Sequence, residues 1–185
     1  MRIACLAWGS LVWKWEPLEL ASSWNEGGPA LPIEFARESD GGELSTALCA
    51  GVSDVACLWA LLATGNLRTA CEQLRIREQI PASRHDGIGC TPTLGVAGPY
   101  DARIAGWAKA HGVDAVVWTA LPPRSNGVEG RMPTANEAVA YLQALDGDVL
   151  THARDYIRRV PRSIATGHRA TIERRLGWTA IDPRD

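Results

Sequence analysis

The stretch Ile3-Ala4-Cys5-Leu6-Ala7-Trp8-Gly9-Ser10-Leu11-Val12-Trp13 decides how this chain is read. Its first six residues are an unbroken apolar run closed by Gly-Ser, which predicts a central strand buried on both faces and then a turn. A strand that stops at Gly9-Ser10 offers several backbone N–H groups in one small concavity. Such a nest binds an anion or carboxylate without any charged side chain. The small residues matter because a ligand must approach the backbone closely. A plain strand-ending turn would leave the same trace.

Outward from this run, residues 30–37 and 44–50 read as strands around the turn Asp40-Gly41-Gly42, and residues 55–63 as a second strongly apolar strand. Residues 67–79 read as a helix stopped by Pro81. At 100° per residue Leu67, Ala70, Cys71 and Leu74 share one face, and Glu78 continues that apolar stripe. A carboxylate belongs there only if a partner pairs with it or a reaction uses it. Burial would push it up toward the range of a general base. Otherwise the helix frays before Pro81 and Glu78 turns to water, or a neighbouring Arg holds it.

Residues 81–100, rich in Pro and Gly, read as a long loop. A helix follows over 101–111, a third apolar strand over 115–121, and a second loop to Pro133. Thr134 and Glu137 form a capping box that opens a helix through Leu145, and residues 148–160 and 163–176 complete a helical tail. Trp59, Trp107 and Trp118 read as core, His111 and His168 as core or boundary groups. The expected organisation is one domain over 1–185, of class α+β, with a β-rich core over 1–121 holding the site and a helical extension over 134–176.

The chain has 185 residues, 46% hydrophobic and 22% charged, with a net charge of −2. That excludes a disordered chain and gives no global basic field for nucleic acid or an anionic membrane. No stretch reaches the roughly 18 apolar residues of a membrane helix. Five cysteines, without a CxxC pair, exclude zinc-ribbon and thioredoxin-like patterns. The resulting expectation is a cytoplasmic protein in a reducing compartment.

Several pieces together resemble a known family. Gly9-Ser10-Leu11-Val12-Trp13 after an N-terminal strand is similar to the Gly-Ser-Leu-Ile-Trp segment of the ChaC-like γ-glutamylcyclotransferases. Residues 35–40 resemble that family's Arg-rich strand ending near Ser-x-Asp. Gln73-Leu74-Arg75-Ile76-Arg77-Glu78 resembles its Tyr-Leu-x-x-Arg-Glu. The resemblance spans roughly residues 3–80 and implies a small β-barrel flanked by helices. It also implies an enzyme that cyclises a γ-glutamyl amine or peptide to 5-oxoproline and releases the amine. In that reading Trp8, Gly9, Ser10 and Leu11 bind the glutamyl group, Arg37 pairs with a substrate carboxylate, and Glu78 is the acid/base. No metal or organic cofactor is implied, and the partner is a small γ-glutamyl substrate; a homo-oligomer built through the tail stays open. The chain departs from the family at Trp8, where Tyr is usual, and lacks its His-Arg-Gly-Thr stretch and the Gly-Gly-Tyr after the Glu. Arg37 could equally pair with Glu34 or Glu38.

Two other readings compete. Cys90, with His85-Asp86 nearby in a loop, suggests a cysteine- or metal-dependent hydrolase. Arg154, Arg158, Arg159, Arg162, Arg169, Arg174 and Arg175 in the tail suggest an inactive binding module for an acidic or phosphate-bearing partner, or simply a solvated face.

Overall fold

Every side chain from Ile3 to Ala7 is buried, and this segment is strand β1 of a computed structural model that describes residues 1–95 and 97–181. After it come a 3-10 turn at Ser10–Val12 and the strands β2 (Ala30–Leu31), β3 (Ile33–Glu38), β4 (Leu44–Leu48), β5 (Val55–Ala56) and β6 (Leu58–Leu61). Then follow α1 (Leu67–Arg77), β7 (Ile88–Thr91), α2 (Asp101–Ala110), β8 (Ala115–Thr119), β9 (Arg124–Ser125) and β10 (Val128–Glu129). The helices α3 (Ala135–Gln143), α4 (Gly147–Arg159) and α5 (Gly167–Leu176) end the described chain. None of these helices is long and apolar enough to cross a membrane.

The chain divides into two compact units. The first comprises residues 1–7, 11–30 and 56–121. Its sheet has the order β6-β1-β8-β7, with β1 antiparallel to β6 and parallel to β8. A strand with neighbours on both sides and helices nearby must be apolar throughout, which is why residues 3–7 read as they do. Ile3, Cys5 and Ala7 alternate toward one face and join Ala115 and Val117 of β8, Leu67, Ala70 and Leu74 of α1, and Leu11 in one apolar cluster. Asn66 caps α1 by accepting the Thr69 N–H at 3.1 Å, and Gln79, at φ 54°, turns the chain out of it. The expected loop over 81–100 contains β7, four residues antiparallel to β8. Its short mixed sequence has no periodicity of its own, and pairing with β8 makes it a strand.

The second unit comprises residues 8–10, 31–55 and the described residues from Pro122 on. Its sheet has the order β10-β9-β3-β4. Strands β3 and β4 form the expected hairpin, with a register shift between Phe35 and Arg37. The expected loop before Pro133 holds a second hairpin, β9–β10, turning on Asn126 and Gly127 at φ 51° and 73°. Asn-Gly is the dipeptide such a turn demands. Helix α5 packs on β3, α4 on β4, and α3 on α5. The helices of 134–176 therefore share a core with strands β3 and β4 and are not an appendage to them. The capping box holds: Glu137 N donates to Thr134 Oγ1 at 3.2 Å and Thr134 N to the Glu137 carboxylate at 2.8 Å.

The expected barrel is corrected: among the described residues the sheets are open and no closed barrel forms. The expected strand at 30–37 is split at Pro32, which has no N–H for a ladder, and the one at 55–63 is split at Cys57. The short pieces β2 and β5 pair only with each other. Trp118 is buried as expected, but Trp59 and Trp107 are only half-buried, and His111 is exposed and stacks on Trp107 at 4.5 Å. The tail arginines do not form one solvated face. Arg169 is 3% exposed, donates to the Ile164 and Val160 carbonyls, and lies 5.2 Å over the Phe35 ring.

Candidate active site

Glu78 is the C-cap of α1, and its N–H still donates to the Leu74 carbonyl at 2.9 Å. Neighbours in sequence do not face each other within a helix. Here the helix ends between them, and Arg77 Nη1 reaches Glu78 Oε1 at 2.6 Å. The two side chains are 8% and 17% exposed. A helix C-terminus gives a carboxylate no help from the backbone dipole, so Arg77 supplies the counter-charge. The same guanidinium donates through Nε and Nη2 to the Lys14 carbonyl, at 2.8 and 2.5 Å. Lys14 ends the segment that begins Ser10-Leu11-Val12, so Arg77 ties the residues after the turn to the end of α1. Cys5 of β1 registers the same neighbourhood. Burial pushes its thiol up, the Glu78 carboxylate adds to this, and Arg77 opposes it. The helical stripe thus places Glu78 beside β1 and the loop after it. Of the local alternatives, pairing with a neighbouring Arg holds and fraying to water does not.

Leu11 is 5% exposed and sits in the same apolar cluster as Leu74. Its side chain anchors the turn and leaves only its backbone to a ligand.

Trp8, Gly9 and Ser10 pack with the second unit. Trp8 is buried, and its carbonyl accepts the Thr46 hydroxyl at 3.3 Å. A Cβ added at Gly9 would stand 2.5 Å from Tyr156 Oη and 2.6 Å from Thr46 Oγ1. Glycine is therefore required here, and the groups that come close are the protein's own hydroxyls. Tyr156 Oη also lies 3.2 Å from Thr46 Oγ1 and accepts the Thr46 N–H at 3.3 Å. Sequence reading missed this pair. Thr46 looks like any strand residue, and Tyr156 falls on the stripe Ala153, Tyr156, Ile157 of α4, where it counts as core.

Arg37 forks onto Glu129, with Nη1 and Nη2 at 3.0 and 2.9 Å, and donates to the Pro122 carbonyl at 2.8 Å. Neither acidic neighbour offered by the sequence takes it. Glu38 accepts from Ser125 Oγ and Asn126 N. Glu34, 3% exposed, accepts from Thr166 Oγ1, the Phe35 N–H at 2.8 Å and the His168 N–H at 3.0 Å.

The hydrolase reading also meets the structure. Among the described residues no group of three or more His, Cys, Asp or Glu side chains could hold a metal ion. Cys90 lies on β7 and is half-buried.

These elements define a class of fold, a mixed α/β arrangement of helices and open sheets. Two crystal structures share it, both of a yeast γ-glutamylcyclotransferase specific to glutathione, one of them selenomethionine-labelled. The labelled one matches with a TM-score of 0.55 at 12% identity, covering 96% of this chain and 97% of that one. The other matches at 0.50 and 10%, covering 96% and 98%. No protein-family model and no curated protein matches the sequence. The chain therefore has a γ-glutamylcyclotransferase-like fold across nearly its whole length. That likeness extends well past residue 80, where the sequence resemblance stopped.

Proposed function

We propose that this chain cyclises a γ-glutamyl amine or peptide to 5-oxoproline and releases the amine. The observation that supports the proposal is the link from the Lys14 carbonyl through Arg77 to the half-buried Glu78 carboxylate, which fixes where that carboxylate stands. Glu78 takes a proton from the substrate's α-amino group. The nitrogen attacks the γ-carbonyl of the same molecule, and a C–N bond forms that closes a five-membered ring. The bond to the departing nitrogen breaks, and Glu78 returns the proton to that nitrogen. No water is consumed. The reaction is intramolecular, so holding one rotamer near attack geometry supplies much of the rate. Backbone N–H groups of Gly9, Ser10 and Leu11 hold the glutamyl group and the developing oxyanion. Trp8 walls the turn, and the Thr46 and Tyr156 hydroxyls brace it. Arg37 is engaged by Glu129, so the proposal leans on Glu78 and the turn. Five free thiols fit a reducing, cytoplasmic setting.

The test is a panel of γ-glutamyl amines and peptides followed for 5-oxoproline release, with Glu78→Gln as control. Release by the wild type and loss in the variant are expected. Activity that survives Glu78→Gln overturns the assigned role, and no product from any panel member favours an inactive binding module on the same fold.

A further inference from the structure

The chain has four asparagines, and three of them are held. Asn25 Nδ2 donates to the Ser23 carbonyl at 2.8 Å, Asn66 Oδ1 accepts the Thr69 N–H at 3.1 Å, and Asn136 Oδ1 accepts from Arg175 at 2.9 Å. Each is followed by a residue with a long side chain, Glu26, Leu67 or Glu137. Asn126 differs in place and in company. It stands exposed at the turn of the β9–β10 hairpin, and among the described residues its side-chain amide makes no hydrogen bond. The next residue is Gly127, also exposed, where an added Cβ would meet nothing within 4 Å. The Gly127 N–H finds no acceptor among the described residues.

We propose that Asn126 is a modification site, where spontaneous deamidation yields isoaspartate and aspartate and sets a new carboxylate on the hairpin. Hydroxide takes the Gly127 N–H proton. The nitrogen attacks Asn126 Cγ, a C–N bond forms, and a five-membered succinimide ring closes. The Cγ–Nδ2 bond breaks, and ammonia leaves with a proton from water, which restores the hydroxide. A second water opens the ring at either carbonyl. The net change is asparagine plus water to aspartate or isoaspartate plus ammonia. The reacting atoms belong to adjacent residues, so the ring closure is intramolecular.

The fold leaves this reaction open. A glycine nitrogen admits the ring with no side chain in the way. The strands that flank the turn have two residues each, so a short ladder opposes rotation about the Asn126 backbone. The product's charge then falls among carboxylates. The Asn126 N–H donates to Glu38 Oε2 at 2.8 Å, and Ser125 Oγ donates to Glu38 Oε1 at 3.0 Å. Glu129, three residues on, forks onto Arg37. A carboxylate at position 126 is repelled by Glu38. Isoaspartate also adds a methylene to the main chain between Ser125 and Val128, whose pairing sets the hairpin register. Deamidation therefore loosens the tie from Glu129 to Arg37. This inference is independent of the proposed cyclotransferase chemistry and uses none of its steps.

The test ages the full-length folded protein in mildly alkaline heavy-oxygen water, beside a synthetic peptide of residues 125–131. The protein is then digested with trypsin in ordinary water, so that only conversion before digestion carries the label. We expect the tryptic peptide of residues 125–131 to exchange its amide –NH2 for –OH, gain one heavy oxygen and split into isoaspartyl and aspartyl components of equal mass. The rate should rise with hydroxide concentration, and the peptides holding Asn25, Asn66 and Asn136 should stay unchanged meanwhile. Gly127→Ala should slow the conversion in the protein and in the synthetic peptide alike. Asn126 left intact in the folded protein after the free peptide has converted overturns the proposal, and so does earlier conversion of another asparagine. Hydrogen exchange then reads the consequence. Amides of residues 124–131 should exchange faster in the isoaspartyl form than in fresh protein, with β4 unchanged. Equal exchange at the hairpin in the two forms overturns the loosening.

Discussion

In the first unit the Glu78 carboxylate stands at the end of a helix, with one guanidinium on one oxygen and a side chain still 17% exposed. In the second unit the Glu34 carboxylate is 3% exposed and accepts from two backbone N–H groups and a threonine hydroxyl at the start of α5. Both are acidic residues among apolar neighbours, and their surroundings differ. Glu34 is saturated with fixed donors and joins β3 to the first turn of α5, a structural task. Among the described residues Glu78 is held by a single charged partner, Arg77, which is itself anchored on the Lys14 carbonyl. A carboxylate in that state is positioned without being saturated, which is what the proposed proton transfer needs. Burial of a charge alone does not distinguish the two carboxylates; the number and kind of donors do.

The sharpest way to break this comparison is to neutralise each carboxylate in turn. Glu78→Gln should lower turnover about 100- to 10,000-fold, the usual worth of a positioned acid/base. Its thermal midpoint should barely move, because the amide oxygen still accepts from Arg77. If stability falls and turnover does not, Glu78 is a second Glu34. Glu34→Ala should do the reverse. It strands three donors in the interior, at about 1–3 kcal/mol each at most, so denaturant unfolding should show a loss of roughly 3 kcal/mol or more. The Glu78 side chain would keep its partners.

A smaller effect sharpens the contrast at the turn. Gly9→Ala drives a methyl into the Tyr156 and Thr46 hydroxyls and should cost about 1–3 kcal/mol, as overpacking does. Tyr156→Phe in the same chain removes the nearer oxygen and should return part of that loss, whereas Tyr156→Phe alone should change stability by about 1 kcal/mol. Full additivity in this double-mutant cycle would mean that the close approach at Gly9 carries no energy. The smallest expected effect is a pH dependence. Its own capping box, chiefly the Thr134 N–H, and Arg131 hold Glu137 down to about 2. A carboxyl with a lowered folded value adds stability above its unfolded range, near 4.5, and loses it as the pH falls toward 2. The thermal midpoint of Glu137→Gln should therefore fall less than that of the wild type across this window.

Much of this was legible in the linear chain. The apolar run at residues 3–7 has one reading because a strand with neighbours on both sides tolerates no polar residue. The capping box at Thr134 is visible because both of its bonds are local. Glu78 was legible through helical spacing alone. Other features were hidden for equally physical reasons. β7 has no pattern until β8 pairs with it, and the β9–β10 hairpin had a signal, Asn126-Gly127, between strands too short to show alternation. Glu34 gave no sign because its donors from Thr166 and His168 lie more than 130 residues away.

The sequence by itself determined the local elements, the central strand and the placement of one carboxylate on an apolar stripe, since these depend on periodicity and neighbouring residues. Only the tertiary structure decided that the sheets stay open, that Arg37 is taken by Glu129, and that Tyr156 crowds Gly9. Each of those depends on atoms brought together from distant parts of the chain, where the spacing along the sequence carries no information about the distance in space.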